Sequence, residues 1–434
     1  MAHDPVDLLS RYIKIDTTNP PGNETEAVHF FAEILDREGI EYKIYEPEPG
    51  RASLRAVIRG TGEKGPVILL NHMDVVPAQA REWGFDPFGG QVKDGFVHGR
   101  GALDMKGQGI MELLAFLDVQ RQGRPASRDL IFLAVADEET GGARGAQYLL
   151  ENHPEDVQAE VVLNEGGYGI TGLLPSGPII MVSTAEKGLL WLRLTRTGPP
   201  GHGSIPHGEN ALERTALALS RLLTDERPVR ITPVIADYFR ELAPGWPFLQ
   251  PFVDDGKPET LAEVLAKSGM LGLPQIMAMV KNTISLNAMH AGAKTNVIPS
   301  TVMAELDIRL LPGQDPDEFV SYVRDTLSDD AIEVEALMKH DSTESRRDTE
   351  FFLPIMEELT RAFPEATIAP SLLIATSDSR LFRKKGIPSY GVCPVLVSMD
   401  EIATIHGIDE RISVENLTRG TRTYTDLVKR LVSF

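Results

Sequence analysis

Cysteine is almost absent: the 434 residues contain one, Cys393. That excludes an intrachain disulfide framework and fits a reducing compartment. Long apolar runs are missing as well, and none approaches the roughly 20 residues that a helix needs to cross a bilayer. The first residues, Met1-Ala2-His3-Asp4-Pro5, lack a basic segment followed by an apolar core, so no secretory leader is expected. Positive charge is in deficit. Lys and Arg number 43 against 63 Asp and Glu, a formal net charge of −20, which opposes non-specific attachment to nucleic acid or to an anionic membrane. Internal repeats and low-complexity tracts are missing too. These absences lead to the expectation of a cytoplasmic globular protein with no nucleic-acid or membrane partner.

A chain of this length suggests two domains. Its first part alternates apolar runs with helix patterns. Residues 24–38 read as a helix, with Asn23 and Glu26 at capping-box spacing and Gly39 as the stop. Val67-Ile68-Leu69-Leu70, Leu130-Ile131-Phe132-Leu133 and Val161-Val162-Leu163 read as buried strands. Each runs into polar residues: Asn71-His72-Met73-Asp74, then Asp137-Glu138-Glu139-Thr140-Gly141-Gly142, then Asn164-Glu165-Gly166-Gly167. Strands alternating with helices indicate an α/β domain with a mainly parallel sheet, in which ligands bind beyond the carboxyl ends of the strands.

The pattern changes near Glu186-Lys187-Gly188. Residues 190–197 and 301–310 alternate strictly, with Leu190, Leu192 and Leu194 opposing Trp191, Arg193 and Thr195, as expected of half-buried antiparallel strands. Helices at 209–224 and 315–328 flank them, the second opened by Asp315, Pro316 and Glu318. We therefore expect a second, α+β domain over residues 187–340, with a Pro- and Leu-rich helical insertion at about 225–285. The α/β rhythm resumes with a helix near 349–363, a strand near 387–393 and a helix near 414–431. The first domain is then discontinuous, residues 1–186 and 341–434.

Three consecutive acids at the end of a buried strand repel one another and are costly to desolvate, and a cation would relieve both. Taken singly, each candidate has an ordinary reading. His72 could be a surface histidine beside a turn aspartate, Asp104 a helix N-cap, Glu138 and Glu139 a solvated acidic loop, and His406 a hydrogen-bonded structural histidine. Taken together, two histidines and four carboxylates give a mixed N/O donor set suited to zinc, with manganese or cobalt as alternatives. Two metals sharing a carboxylate and a water form a recurrent hydrolase site. A structural zinc site fails on the missing cysteine set.

The motifs His72-x-Asp74, Gly99-Arg100-Gly101-x-x-Asp104-Met105-Lys106-Gly107, Asp137-Glu138-Glu139-x-Gly141-Gly142, Asn164-Glu165-Gly166, Gly201-His202-Gly203-Ser204 and the late His406 follow one another along nearly the whole chain. In that order and spacing the chain resembles the dinuclear-zinc amidohydrolases and exopeptidases that include aminoacylase, acetylornithine deacetylase, succinyl-diaminopimelate desuccinylase and glutamate carboxypeptidase. The resemblance implies a zinc-exopeptidase-like catalytic domain with a mixed, mainly parallel sheet, and an inserted ferredoxin-like lid and dimerisation domain. It implies two divalent metals per chain, one held by His72 and Glu165, the other by Glu139 and His406, with Asp104 bridging. Asp74 would orient His72, and Glu138 would be the general base. His202 would reach into the partner subunit's site of a homodimer and stabilise the oxyanion. Asn296 would lie near the substrate carbonyl and Arg309 would bind the free carboxylate through its fork, an ion pair on the sheet's polar face being the alternative. Asp378 matches a family position near the site, although the glycine often found before it is absent.

The implied reaction is hydrolysis of an amide bond next to a free carboxylate, with N-acyl amino acids as substrates. Carboxypeptidase or dipeptidase action on short peptides is the alternative. A binding protein that kept the fold without catalysis would have lost a ligand or the base, and none is lost here. Residues 243–275 could line an apolar acyl pocket or form a packed helical cap.

Overall fold

The computed structural model describes residues 3–432. Its central feature follows from the apolar runs. In Val67–His72 and Leu130–Val135 every residue is buried, so both faces of these strands must be covered. Alternate residues point to opposite sides. Leu69, Phe132 and Leu163 enter a core beneath helices Pro5–Ile13, Glu24–Glu38, Lys106–Arg121 and Val414–Val432. Leu70, Ile131 and Leu133 enter a second core, shared with Leu149 of helix Ala146–Asn152 and Phe382 of helix Ser379–Lys384.

The strands belong to a nine-stranded mixed sheet. Val67–His72 runs parallel to Leu130–Val135, with His72 opposite Val135, and parallel to Val161–Leu174, with Leu69 opposite Leu163. Val161–Leu174 runs parallel in turn to Ser389–Val397. That register brings the polar residues after all three apolar runs to one edge.

Helix Glu24–Glu38 ends at Gly39 in the left-handed region, φ 67°, as its sequence implies. The capping box at its start does not form. Asn23 makes no side-chain capping bond; the next residue, Glu24, is buried and accepts from Arg51.

A second, four-stranded antiparallel sheet comprises Thr283–Ala291, Thr301–Leu310, Gly188–Thr197 and Ile332–His340. Leu190, Leu192 and Leu194 stand opposite Ile308, Leu306 and Ala304 and are covered by helices Ala211–Thr224 and Pro316–Leu327. Asp315 caps the second helix by accepting from the Asp317 and Glu318 amides. The fold is thus a discontinuous α/β unit with an inserted α+β unit.

The helices between the two, Pro233–Leu242, Gln250–Asp255, Pro258–Lys267 and Pro274–Val280, are inserted in sequence between elements of the small sheet but pack elsewhere. They bury Tyr238, Phe239, Leu242 and Ile276 against Ile179, Ala185, Ala369 and Leu372 of the large sheet. No helix among the described residues is long and apolar enough to cross a membrane.

Candidate metal centre

At the carboxyl edge of the large sheet, His72, Asp104 and Glu165 form one group of close donor atoms, and Asp104, Glu139 and His406 form another. Asp104 is common to both. His72 Nε2 lies 3.2 Å from Asp104 Oδ1 and 3.8 Å from Glu165 Oε2. His406 Nε2 lies 3.2 Å from Asp104 Oδ2 and 3.3 Å from Glu139 Oε2. Each oxygen of one carboxylate therefore faces a different histidine.

The electrostatics are those of buried charge. Asp104 and Glu139 hold the His406 imidazole up at about 10. Burial opposes protonation of His72, yet Asp104 and Asp74 beside it raise it well above its ordinary range. Desolvation, with Glu165 nearby, pushes Glu138 far above the usual carboxylate range, and desolvation does the same to Glu165. Glu139 Oε1 is buried with no hydrogen-bond partner. Two histidines, a shared carboxylate and an orphaned carboxylate oxygen are what a pair of divalent cations would satisfy, so the donor set fits two metals.

Supporting residues fix these side chains. His72 Nδ1 is 2.9 Å from the Asp74 carbonyl oxygen and 3.6 Å from Asp74 Oδ1. The Asp74 carboxylate accepts from the amides of Glu138 and Glu139, both at 3.1 Å, and from Asn19 Nδ2 at 2.8 Å. Asp137, left-handed at φ 72°, accepts from Arg51 at 2.7 Å, Thr140 Oγ1 at 2.6 Å and the Arg144 amide at 3.0 Å. Asp137 thus shapes the turn, and the acids that follow it face the cleft. Gly142, at φ 74°, has no room for a side chain, since a Cβ there would meet Asp378 Oδ1 at 2.5 Å.

The loop bearing Asp104 is held by Glu410, whose buried carboxylate accepts from the amides of Gly101, Leu103 and Asp104 and from Arg100. Behind the strand ends, Glu112 takes Asn71 Nδ2 at 2.9 Å and Gln108 Nε2 at 3.0 Å, and Gln108 also donates to the Asn164 carbonyl. Burial lifts Glu112 to about 8.

A cleft of about 680 Å³ opens over this group, lined by Asp104, Glu138, Glu139, Glu165 and His406, by Arg309, and by many apolar side chains. Arg309 Nε and Nη2 bond Asp307 on its own strand at 2.7 and 3.1 Å, and its Nη1 is 3.5 Å from Thr376 Oγ1. His202 and Asn296 are not in the cleft. They lie beside each other where Gly201–His202 pairs with Val297–Ile298 and the Gly203 amide donates to the Asn296 carbonyl. His202 is exposed there, its Nδ1 accepting from Ser204. Asp378 is buried beside the acidic turn, 3.6 Å from Arg380, with neither carboxylate oxygen hydrogen-bonded, and desolvation lifts it to about 7.

Asn19, Glu112 and Glu410 were not singled out from sequence. Glu410 had one usable signal, an acid four residues after His406. Asn19 and Glu112 had none, because a turn asparagine and a helical glutamate are ordinary.

The sequence matches the family model described as Peptidase family M20/M25/M40 over residues 68–430. It is 32% identical to the N-fatty-acyl-amino acid synthase/hydrolase PM20D1 of Xenopus tropicalis, over 84% of this chain and 72% of the relative. It is 28% identical to aminoacylase-1 of Sus scrofa, over 99% of this chain and 96% of the relative. Among solved structures, the M20 family metallo-carboxypeptidase Sso-CP2 from Sulfolobus solfataricus superposes with a TM-score of 0.76 at 19% identity, covering 98% of this chain and 99% of that one. The di-peptidase Dug1p from Saccharomyces cerevisiae gives 0.69 at 17%, covering 99% and 95%. At those identities the structural likeness shows the fold alone.

Proposed function

As a member of peptidase family M20/M25/M40, to which this chain belongs, the protein is a hydrolase of amide bonds, and we propose that its substrates are N-acyl amino acids with an apolar acyl group. The observation that carries this reading is the cleft. It joins Glu138 and the two donor groups to Arg309 and to an extended apolar lining that includes Leu173, Met181, Leu372 and Ile374. That lining suits an apolar acyl chain better than a short polar peptide. The names of the PM20D1 and aminoacylase-1 relatives support the same choice.

His72 and Glu165 would hold one cation, Glu139 and His406 the other, and Asp104 both; zinc suits this set, with cobalt or manganese as alternatives. When bound, such cations would polarise the amide carbonyl and make water acidic enough to attack at neutral pH. The reaction itself is a hydrolysis: water adds its oxygen to the acyl carbon, the C–N bond breaks, and a fatty or short-chain acid and a free amino acid leave. Glu138 lines the cleft without being committed to a histidine, so it takes the proton from the attacking water and delivers it to the departing nitrogen. Asp74 holds the Glu138 and Glu139 amides and braces His72. Arg309 directs one arm of its fork towards the cleft, where it would meet the α-carboxylate.

His202 and Asn296 would act on the substrate carbonyl from a second subunit. Their pairing on an exposed edge outside the chain's own cleft supports a homodimer formed through the inserted unit. Asp378 would position the acidic turn against which it is buried. A cytoplasmic location completes the reading, supported by the single cysteine.

The test is a substrate panel, N-acetyl and long-chain N-acyl amino acids beside dipeptides, with zinc, cobalt and manganese each supplied. Preferential turnover of N-acyl amino acids is expected. Turnover of dipeptides alone would transfer the assignment to the carboxypeptidase and dipeptidase alternative.

A further inference from the structure

The helical segment on the large sheet ends in helix Pro274–Val280, and two of its residues, Ile276 and Met279, line the cleft together with Tyr238 of helix Pro233–Leu242. Ile276 and Met279 are 2% and 6% exposed, so they belong to the inner end of the cleft, whereas Leu273, 41% exposed, stands at its rim. The direction of the cleft follows from strand Val161–Leu174. Glu165 lies on that strand beside the donor groups, and Ile170 and Leu173 line the cleft further along it. Gly166, Gly167 and Gly172 take left-handed backbone, so the chain bends between Glu165 and Leu173. Leu173 packs against the cluster that contains Ile276, Met279 and Tyr238. The helix therefore walls the cleft on the side of Leu173.

Besides its apolar packing, that helix is tied down at its end by one buried lysine. Lys187 is fully buried at the passage between strands Gly177–Glu186 and Gly188–Thr197. Its Nζ donates to the carbonyls of Ala278 at 3.0 Å and Lys281 at 2.9 Å, and lies 3.4 Å from Thr283 Oγ1. Carbonyls at a helix C-terminus have no partner within the helix, and the Lys187 amine supplies donors there. The Val280 carbonyl is taken separately by the Arg230 amide, at 2.8 Å.

We propose that helix Pro274–Val280 is the gauge that sets the length of acyl chain accepted, with Ile276 and Met279 as the side chains that end its path and Lys187 as the residue that positions the helix. The proposal rests on the N-acyl amino acid reading. It assigns to the helical insertion a role in specificity, and it ties the acyl-binding wall to the same chain crossing about which the two units are joined.

The experiment measures kcat/KM for N-acetyl-, N-octanoyl- and N-palmitoyl-leucine with the metal-loaded protein. Ile276→Trp and Met279→Trp fill the inner end and should lower the palmitoyl-to-acetyl ratio by ~10-fold or more, the scale on which hydrophobic pockets discriminate methylenes. Ile276→Ala and Met279→Ala should move the optimum towards longer chains, and they carry the test if the tryptophan variants do not fold. Lys187→Met should flatten the chain-length profile, a change that general destabilisation does not produce. An unchanged ratio in folded tryptophan or alanine variants overturns the gauge while the N-acyl reading stands. A wild-type protein that hydrolyses none of the three overturns both.

Discussion

Glu410 is the residue through which the position of Asp104 is most directly controlled. Its carboxylate is fully buried; Oε1 accepts from the Leu103 and Asp104 amides at 2.9 and 3.1 Å, and Oε2 accepts from the Gly101 amide at 3.0 Å and Arg100 Nη1 at 2.7 Å. Glu410→Ala leaves three amides without their acceptor and a buried guanidinium without its counter-charge. Removing one partner of a buried ion pair costs about 3–5 kcal/mol, and that is the expected loss in stability. Glu410→Gln keeps one carbonyl oxygen but turns an NH₂ group towards two donors, and should cost about 2–3 kcal/mol. Both variants loosen the loop that carries the proposed bridging carboxylate, so metal affinity should fall by about 10–100-fold, as it does when supporting partners of ligands are removed. Urea unfolding of the metal-free protein reads the first effect, and zinc competition against a chromophoric chelator reads the second. A Glu410→Ala protein of unchanged stability that binds zinc as tightly as the wild type would refute the reasoning.

Glu138→Gln should lower turnover by about 10²–10⁴-fold, the range for loss of a general base, with both metals still bound; measured metal content and rate together decide it, and retained turnover removes Glu138 from the role. Stripping the metals with a chelator should abolish hydrolysis and lower the thermal midpoint, because ligand held at about 1,000 times its Kd contributes about 4 kcal/mol. Restoration by zinc, cobalt or manganese is expected, and indifference to the chelator would contradict the metal centre. Lys187, lowered by burial and by Arg309 to about 7, gives a pH signature. Its unfolded value is about 10.4, so between these limits the unfolded chain holds a proton that the folded chain has released. The buried charge weighs fully on stability below pH 7, and its contribution improves as pH rises towards 10. Denaturation midpoints of wild type and Lys187→Met should therefore diverge in favour of the wild type across that window, and a pH-independent difference would count against it.

Much of the fold was legible because it rests on local pattern. The continuous apolar runs ending at Leu70, Leu133 and Leu163 read as buried strands and are, and the alternation in residues 190–197 read as a half-buried strand and is one. The helix stop at Gly39 and the cap at Asp315 were equally local. The capping-box spacing of Asn23 and Glu26 misled because spacing alone does not make the bond, and Asn23 makes no side-chain capping bond. The helical insertion could not be placed from its composition: apolar helices pack wherever a complementary face is free, and here that face lies on the large sheet.

The available chemistry could be read from the chain alone, since donor types and their order are properties of the residues. Its arrangement came from long-range pairing and packing. Parallel register between Val67–His72, Leu130–Val135 and Val161–Leu174 set His72, Glu139 and Glu165 at one edge, and Glu410 turned Asp104 so that its two oxygens face two histidines. Likewise, Asp137 became a structural acid and Glu138 a cleft-facing one, although they are adjacent in sequence and alike in charge, because the left-handed backbone at Asp137 sends their side chains in different directions.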